Sequence, residues 1–348
     1  MIDARGAGRR RNRPFLIIIM AVLSATLSTG IFGTASAFEF DTYSKRSDYL
    51  KFLGHTLPSN NIQCISSDPE DKNSIFIGTD AGLCKFNGKS FRIYGVDSGL
   101  YKEGPIDGHI NCVISTTNEV WVGTDAGLSK YNKLTSKWSH YEKNSICPIP
   151  TNYVQCMYYI EPLLIIGTWG EGIVIYDTKS GKWKPYAQKN GLEARYISSM
   201  AYDNVRNVLW VGTYDRGFYS FSEDRFVEIS AKNSDLVSDR INAVAVSGGK
   251  VYLGTPLGLS VYDGKSFKNY SKKSGFNTNV ILSIKVDGFD VYIGTDAGLY
   301  KIYNDVITHY PISNNLSNGK QARIVCIEAA GSKLYAGTQH YGLIEIKK

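Results

Sequence analysis

The sequence has no large excess of charge of either sign. Its 39 Lys and Arg residues face 32 Asp and Glu residues, which gives a net charge of +7. The first 37 residues hold five of the arginines and one aspartate, so 34 basic residues then face 31 acidic ones and the net charge falls to +3. No extended basic run follows. Because nucleic-acid surfaces need clustered positive charge, a nucleic-acid partner is not expected.

The chain also lacks the short motifs that carry metal or nucleophile chemistry. It contains no Cys-x-x-Cys, no His-Glu-x-x-His and no Gly-x-Ser-x-Gly, and its five histidines have no metal-binding spacing. Because these motifs are absent, we expect no metal site and no cofactor. A non-catalytic protein is therefore expected.

Long apolar runs are confined to the N-terminus. A basic start, an apolar stretch of 18 residues from Phe15 to Phe32, and Ala35-Ser36-Ala37 form the pattern of a secretory signal peptide that is cut after Ala37. An uncleaved anchor is the alternative, because a bilayer is spanned by ~20 residues. Either form exports residues 38–348 to the periplasm or the extracellular space.

After this leader the sequence repeats at intervals of 45, 44, 45, 42, 40 and 43 residues, measured between successive Gly-Thr dipeptides. A steady spacing in this range indicates a repeat architecture. A large apolar residue stands two positions before each glycine. The glycines are Gly78, Gly123, Gly167, Gly212, Gly254, Gly294 and Gly337, and the apolar residues are Phe76, Trp121, Ile165, Trp210, Tyr252, Tyr292 and Tyr335.

Each repeat contains four short segments that are rich in Val, Ile, Tyr, Phe and Trp and bounded by turn residues. Segments of this length and composition predict strands. Asn87-Gly88 and Asp263-Gly264 are predicted two-residue hairpin turns, in which both residues would have positive φ. Four antiparallel strands in each of seven units predict an all-β, seven-bladed β-propeller that fills residues 38–348 as a single domain.

The two ends of the chain are expected to complete one blade together. The last repeat stops after its third strand, and Phe40-Asp41-Thr42-Tyr43 supplies the missing pattern. We predict that this N-terminal strand of the mature chain pairs with residues 343–347. Such pairing would remove two exposed sheet edges, which are an aggregation hazard.

The segment from Val120 to Asn132, VWVGTDAGLSKYN, resembles the two-component regulator propeller repeat, and the likeness extends over residues 38–348. The resemblance implies an exported sensor propeller, because propellers of this family usually form the sensor part of membrane histidine kinases and several recognise oligosaccharides. It also implies a partner, either a membrane sensor kinase or another envelope protein. We expect no second propeller, transmembrane helix or kinase module after Lys348, so only binding is carried over.

Four of the six cysteines share one position of the first strand in their repeats. A position that also accepts Ser and Ala is a small-residue packing site. The Cα atoms of cysteines in different blades would be farther apart than the ~7 Å that a disulfide allows. Free buried thiols are therefore expected, and the remaining cysteines, Cys84 and Cys147, lie in different kinds of segment. The seven residues at the shared position are Cys64, Cys112, Cys156, Ser199, Ala243, Ser283 and Cys326.

The repeats differ most in the links that follow Gly-Thr. Four links are short, whereas three have one more residue and larger side chains. In a propeller these links share a face with the residues that precede the inner strands, so together they should surround the mouth of the central channel. The predicted ligand-binding residues are Asn61, His109, Tyr153, Tyr196, Arg240, Arg323, Trp169, Glu171, Tyr214, Asp215, Arg216, His340 and Tyr341.

A mouth with aromatic and polar side chains suits a polar ligand with flat apolar faces, such as a sugar. Arg240 and Arg323 would favour a negative group. The leading hypothesis is a monomeric, non-catalytic recognition or sensor propeller that binds a small polar ligand or an oligosaccharide. A protein-interaction scaffold is the alternative. A propeller lyase or glycoside hydrolase is a third hypothesis, for which Glu171 and Asp215 are the candidate carboxylates.

Overall fold

The structure of the chain is a computed structural model that describes residues 40–43, 57–96, 103–143, 149–310, 312 and 321–348. The predicted leader and Cys147 lie outside these residues. The described residues form seven four-stranded antiparallel sheets and two short 3-10 helices, Gln188–Asn190 and Lys272–Ser274. This confirms the seven-bladed β-propeller. No helix of the described residues is long and apolar enough to cross a membrane.

The strands of each blade follow one another from the channel outward, and the inner strands of successive blades contact each other. Blades one to four consist of β2 Ile62–Asp68, β3 Asp71–Thr79, β4 Gly82–Phe86 and β5 Phe91–Tyr94; β6 Ile110–Ser115, β7 Glu119–Thr124, β8 Leu128–Asn132 and β9 Lys137–Tyr141; β10 Val154–Ile160, β11 Leu163–Thr168, β12 Ile173–Asp177 and β13 Trp183–Tyr186; and β14 Ile197–Asp203, β15 Val208–Thr213, β16 Phe218–Ser222 and β17 Arg225–Ile229.

Blades five to seven have the same order. They consist of β18 Ala243–Ser247, β19 Lys250–Thr255, β20 Gly258–Tyr262 and β21 Phe267–Tyr270; β22 Ile281–Asp287, β23 Asp290–Thr295, β24 Gly298–Tyr303 and β25 Val306–Tyr310; and β26 Ile324–Ala330, β27 Lys333–Thr338 and β28 Leu343–Lys347, with β1 Phe40–Tyr43 outermost.

The large apolar residue before each Gly-Thr packs into the next blade. Trp121 is fully buried and belongs to one hydrophobic cluster with Leu164, Ile166 and Val174 of blade three. Tyr335 of blade seven likewise joins the cluster of blade one. Equivalent clusters join each remaining blade to its neighbour. The hydrophobic core is therefore a ring of interfaces between blades.

The glycine of Gly-Thr lies where two blades come closest. A Cβ atom added to Gly123 would be 2.5 Å from Cys112 Sγ of its own blade and 2.5 Å from Val154 Cγ1 of the next. Real Cβ contacts are longer than this, so these glycines are required by the close approach of neighbouring blades. The shared small-residue position is explained by the same contact, because Cys112 occupies it.

The threonine of Gly-Thr closes the link between the second and third strands. In every blade its buried hydroxyl donates a 2.8 Å hydrogen bond to the carbonyl of the glycine that ends the link. That glycine lies three residues further on in four blades and four residues further on in blades three, four and seven. The three longer links predicted from the sequence are thus confirmed.

The predicted two-residue turns at Asn87-Gly88 and Asp263-Gly264 are wrong. Phe86 pairs directly with Phe91, so the loop has four residues, and only its glycine has positive φ, at 83°. The Asn87 side chain accepts hydrogen bonds from the amides of Lys89 and Ser90 and thereby holds the wider loop. Two-residue turns with both φ values positive occur instead in blades four and six, at Glu223-Asp224 and Asn304-Asp305.

In the structure β1 pairs antiparallel with β28, with Phe40 opposite Ile346 and Tyr43 opposite Leu343. Closure of the mature propeller by this strand stays a prediction. We expect a chain of residues 44–348 to be less stable than one of residues 38–348 by about 2–4 kcal/mol, at roughly 1 kcal/mol for each lost ladder hydrogen bond. Denaturant unfolding of both chains measures the difference, and equal midpoints would mean that β1 does not close the blade.

Gly123→Ala should destabilise the propeller by about 1–3 kcal/mol, because an added methyl group overpacks a closed interface between blades. Gly95→Ala is the matched control, since a Cβ atom there comes no closer than 3.8 Å to Glu103. Thermal and chemical unfolding of the two variants make the comparison. Equal stabilities would refute the packing role of Gly-Thr.

Candidate ligand-binding site at the channel mouth

A cavity of about 360 Å³ opens into the central channel. The second residue of every inner segment lines it, so each blade contributes one side chain at the same level. We call these residues the channel ring. Its members, from blade one to blade seven, are Gln63, Asn111, Gln155, Ser198, Asn242, Leu282 and Val325.

A β-bulge places the channel ring. In six blades the pairing of the first two strands shifts by one residue at the ring position, for example between Ile62 and Cys64. In blade five, strand pairing begins just after Asn242. A bulge leaves one residue out of the ladder and redirects its side chain. The ring residue therefore faces the channel while its neighbours Ile62 and Cys64 stay in the packing between blades.

The channel ring was missed by the sequence analysis, although a signal for it exists. In blades one to five a polar residue stands at the start of an inner segment directly after a buried aliphatic one, as Gln63 follows Ile62. Simple alternation does not identify this residue as channel-facing, because the bulge changes the period of the strand. Blades six and seven have aliphatic ring residues, so the ring has a polar arc and a shorter apolar arc.

Two ring amides also join neighbouring blades. Asn111 Nδ2 donates to Asp125 Oδ1 at 2.7 Å and to the Val154 carbonyl of the next blade at 3.1 Å. Asn242 Nδ2 donates to the Ile281 carbonyl at 2.8 Å. The amides of Gln63 and Gln155 have no hydrogen bond to other described residues, so they can serve a ligand.

Ser198 has the most informative side chain of the ring. The residue is 9% exposed, and its hydroxyl is buried without a hydrogen-bond partner among the described residues. Leaving a buried hydroxyl unpaired costs about 1–3 kcal/mol, so such groups are normally satisfied. Its place in the wall of the cavity indicates that the hydroxyl is available to a group bound there.

Four aromatic side chains stand together above this wall. The Trp169 ring lies 5.9 Å from Tyr153, 4.9 Å from Tyr196 and 5.0 Å from Tyr214, measured between ring centroids. Trp169 is 41% exposed and Tyr196 is 36% exposed, which is unusual for residues in such contact. We call these four residues the aromatic cluster. It offers flat apolar surface to a molecule in the mouth.

The longer links of blades three and four position the aromatic cluster. The amide of Trp169 donates to the Tyr153 carbonyl at 3.1 Å, and the amide of Tyr214 donates to the Tyr196 carbonyl at 3.1 Å. Each link is thus tied to the residue that precedes the inner segment of its own blade. Burial raises the pKa of the Tyr214 and Tyr153 phenols, and Asp125 adds to the rise at Tyr153. Both hydroxyls are therefore neutral hydrogen-bonding groups at neutral pH.

Two arginines complete the wall of the cavity. The Arg240 guanidinium lies over the Tyr214 ring at 5.4 Å, and Arg240 Nε donates to Asn242 Oδ1 at 3.4 Å. Arg323 precedes the inner strand of blade seven and also lines the cavity. No carboxylate is among the described residues that line it. The wall of this cavity therefore carries positive charge.

Other predicted residues hold the rim together. Asn61 Nδ2 donates to Asp80 Oδ2 at 2.7 Å, and Asn61 Oδ1 accepts from the amide of His340 at 2.9 Å. Asn61 thus joins the links of blades one and seven. The amide of Tyr341 donates to Thr338 Oγ1 at 3.0 Å. His109 Nδ1 lies 3.5 Å from Asp125 Oδ2, at the edge of blade two.

The structure separates Glu171 and Arg216 from the channel. Both line a groove of about 400 Å³ that also includes Arg195, and Arg216 lies 3.7 Å from Glu228. The amides of Gly170 and Gly172 both donate to the Arg195 carbonyl, so the link folds around that carbonyl, with Trp169 in the aromatic cluster and Glu171 in the groove. Asp215 is exposed in the longer link of blade four. The part of each residue in binding stays a prediction.

No group of three or more metal-ligating side chains occurs among the described residues. All five described cysteines are free: Cys64, Cys84, Cys112, Cys156 and Cys326. Burial raises the pKa of Cys64 and Cys156 to about 12, so these thiols stay protonated at neutral pH. Cys112 and Cys156 reach the cavity wall, yet their sulfur atoms also face the Gly-Thr glycines of their own blades.

Alkylation tests the state of the thiols. At about pH 8, the folded protein should react slowly with iodoacetamide, because the thiolate is the reactive form and burial keeps its population small. The rate should rise as the pH approaches the raised pKa values. After unfolding without reductant, all six cysteines should be labelled, including Cys147. A mass deficit of two protons for each unlabelled pair would reveal a disulfide instead.

Comparison with known structures agrees with the fold. The chain is similar to the extracellular domain of a protein assigned as a hybrid two-component system in B. thetaiotaomicron, with 18% identity and a TM-score of 0.70; the match covers 88% of this chain and 42% of that one. A second extracellular domain of this type from the same organism matches with 22% identity and a TM-score of 0.69, over 90% of this chain and 40% of the other. The chain therefore spans about two fifths of these neighbours.

Virginiamycin B lyase from Staphylococcus aureus has the same fold, with 13% identity and a TM-score of 0.67 over 90% of this chain and 100% of the lyase. No protein-family model and no curated protein matches the sequence. At these identities the structural likeness shows a shared fold. The resemblance to the two-component regulator propeller is in agreement with it.

Proposed function

We propose that the protein is an exported, non-catalytic recognition propeller that binds a small polar ligand, most simply a glycan, at the channel mouth. The observation that carries the proposal is the aromatic cluster beside a cavity with a polar wall. Stacked apolar surface suits the carbon face of a sugar ring, and the amides of Gln63 and Gln155 and the Ser198 hydroxyl suit its hydroxyl groups. A volume of about 360 Å³ lies within the ~300–1,000 Å³ of ordinary ligand pockets.

A sensor role is the second part of the proposal. It is supported by the likeness to extracellular domains of two-component systems and by the exported sensors that the repeat resembles. Those neighbours are more than twice the length that this chain matches, so transmission of a signal would use a further domain or a separate envelope protein. A membrane sensor kinase is the partner that this reasoning favours. Recognition of the ligand would be the part performed by the propeller.

The same geometry bears on two alternative functions, a protein-interaction scaffold and a lyase. A protein-interaction scaffold is favoured by a flat rim, whereas this mouth contains a cavity. An elimination reaction is favoured by the whole-length match to a lyase and by the His109–Asp125 pair, in which the imidazole could accept a proton. Formation of an unsaturated product, followed by ultraviolet absorbance, would establish lyase activity and overturn the non-catalytic proposal.

The test of recognition is a glycan array combined with a thermal-shift screen of the exported protein. We expect a stabilising oligosaccharide, and we expect Trp169→Ala to weaken its binding about tenfold or more, because a central aromatic residue usually carries much of the binding energy. Tyr303→Ala is the control, since Tyr303 is 49% exposed near a turn of blade six. Loss of binding in the Tyr303→Ala control alone would place the binding site away from the aromatic cluster. A well-folded protein that no glycan stabilises would favour a protein partner.

A further inference from the structure

We infer that the ligand of the channel mouth is an acidic sugar, whose anionic group is held by Arg240 and Arg323 while its ring hydroxyls reach the polar arc of the channel ring. This inference rests on the proposed function, because it specifies the ligand of the same site. The shared chemistry is an anionic substituent on a polyhydroxylated ring. A carboxylate and a sulfate ester are its two sources.

No carboxylate among the described residues of the cavity wall is paired with the charge of these arginines. Several other basic side chains of the described residues have carboxylate partners, such as Arg206 with Asp203 at 2.7 Å and Lys85 with Asp68 at 2.7 Å. Among the described residues, neither Arg240 nor Arg323 has an ion-pair partner. A positive cleft without counter-charge concentrates anions near it. The two guanidinium groups are thus available to an anion from solution.

The guanidinium groups also have the geometry to select such a group. Arginine presents a planar fork of donors that matches a carboxylate in a bidentate manner, and lysine does not. Contact with the Tyr214 ring and with Asn242 Oδ1 restrains the Arg240 side chain. Less conformational freedom is then lost when the anion binds. A restrained arginine beside an aromatic wall is well suited to a ring that bears a carboxylate.

The residues of the cavity wall other than the two arginines explain why the anionic group should belong to a sugar. The same cavity wall includes the Ser198 hydroxyl, which has no hydrogen-bond partner among the described residues, and the amides of Gln63 and Gln155, which offer both donors and acceptors. Leu282 and Val325 form the apolar arc on the side of blades six and seven. A simple inorganic anion would use only the arginines. A polyhydroxylated ring would use all three parts of the wall and would be oriented by their arrangement.

Isothermal titration of the exported protein with matched sugars tests the inference. The probes are oligogalacturonate and its neutral counterpart oligogalactose, with a sulfated galactan as the second anionic probe and sodium sulfate as an anion without a ring. We expect an acidic oligosaccharide to bind at least about tenfold more tightly than the neutral one, because charge-assisted hydrogen bonds are strong. Preference between the carboxylated and sulfated probes identifies the source of the anion. Affinity should fall as salt is added.

Variants locate the site. Arg240→Gln and Arg323→Gln should each weaken binding of the acidic probe about tenfold. Arg240→Lys should weaken it less, because lysine keeps the positive charge but lacks the two parallel N–H donors of the guanidinium group. Ser198→Ala should weaken binding several-fold without lowering Tm, since it removes a buried hydroxyl that has no protein partner. Arg225→Gln is the matched control, because Arg225 is exposed on the outermost strand of blade four, away from the cavity.

Each other outcome overturns the inference in an identifiable way. Equal binding of neutral and acidic oligosaccharides, unaffected by the arginine variants, would leave glycan recognition standing and remove the anionic preference. Loss of binding in Arg225→Gln alone would place the ligand away from the channel mouth. Binding of sulfate as tight as that of the sugars would leave an anion site without sugar recognition. Absence of binding by all four probes would refute the inference, and the glycan array would then decide separately whether glycan recognition stands.

Discussion

Each blade is set against the next by a contact that leaves no room for a side chain. At the closure of the ring, a Cβ atom on Gly337 of blade seven would lie 2.6 Å from Ile62 Cγ2 of blade one. The same contact recurs between every two neighbouring blades, so one dipeptide repeated seven times determines how closely the blades approach. Repeated motifs often indicate a repeated catalytic or binding function. Here the repeat is a requirement of packing.

The hexapeptide GTDAGL begins at Gly78, Gly123 and Gly294, and four of its six residues have an identifiable structural role. Its glycine admits the next blade, and its threonine closes the link through the carbonyl of the second glycine. The aspartate holds a polar side chain near the mouth, as Asp80 holds Asn61 and Asp125 holds Asn111. The second glycine has a positive φ, 148° at Gly127, which a residue with a Cβ atom adopts at a cost. Where the link instead carries Trp169 or Tyr214, this local arrangement is replaced by aromatic surface.

The periodic features of the fold could be predicted from the sequence, because a packing rule that repeats in space repeats in the chain. Spacing of Gly-Thr, strand composition and the three longer links all belong to this class. The turn at Asn87-Gly88 could not be predicted correctly, because the Asn87 side chain satisfies two backbone amides and permits a wider loop. The site was predicted only in part for a similar reason. Its geometry depends on single bulges and on the path of one link around the Arg195 carbonyl.

The bulge is also the feature that separates stability from recognition. It leaves one residue of each inner segment out of the strand ladder, so the channel ring can vary while Ile62 and Cys64 remain in the core. Gln63 and Leu282 therefore occupy equivalent positions in equivalent blades, although one is polar and the other aliphatic. A seven-fold scaffold acquires a site with a polar arc and an apolar arc in this way. A ligand that distinguishes the two arcs can bind in one orientation, which a fully symmetric channel could not impose.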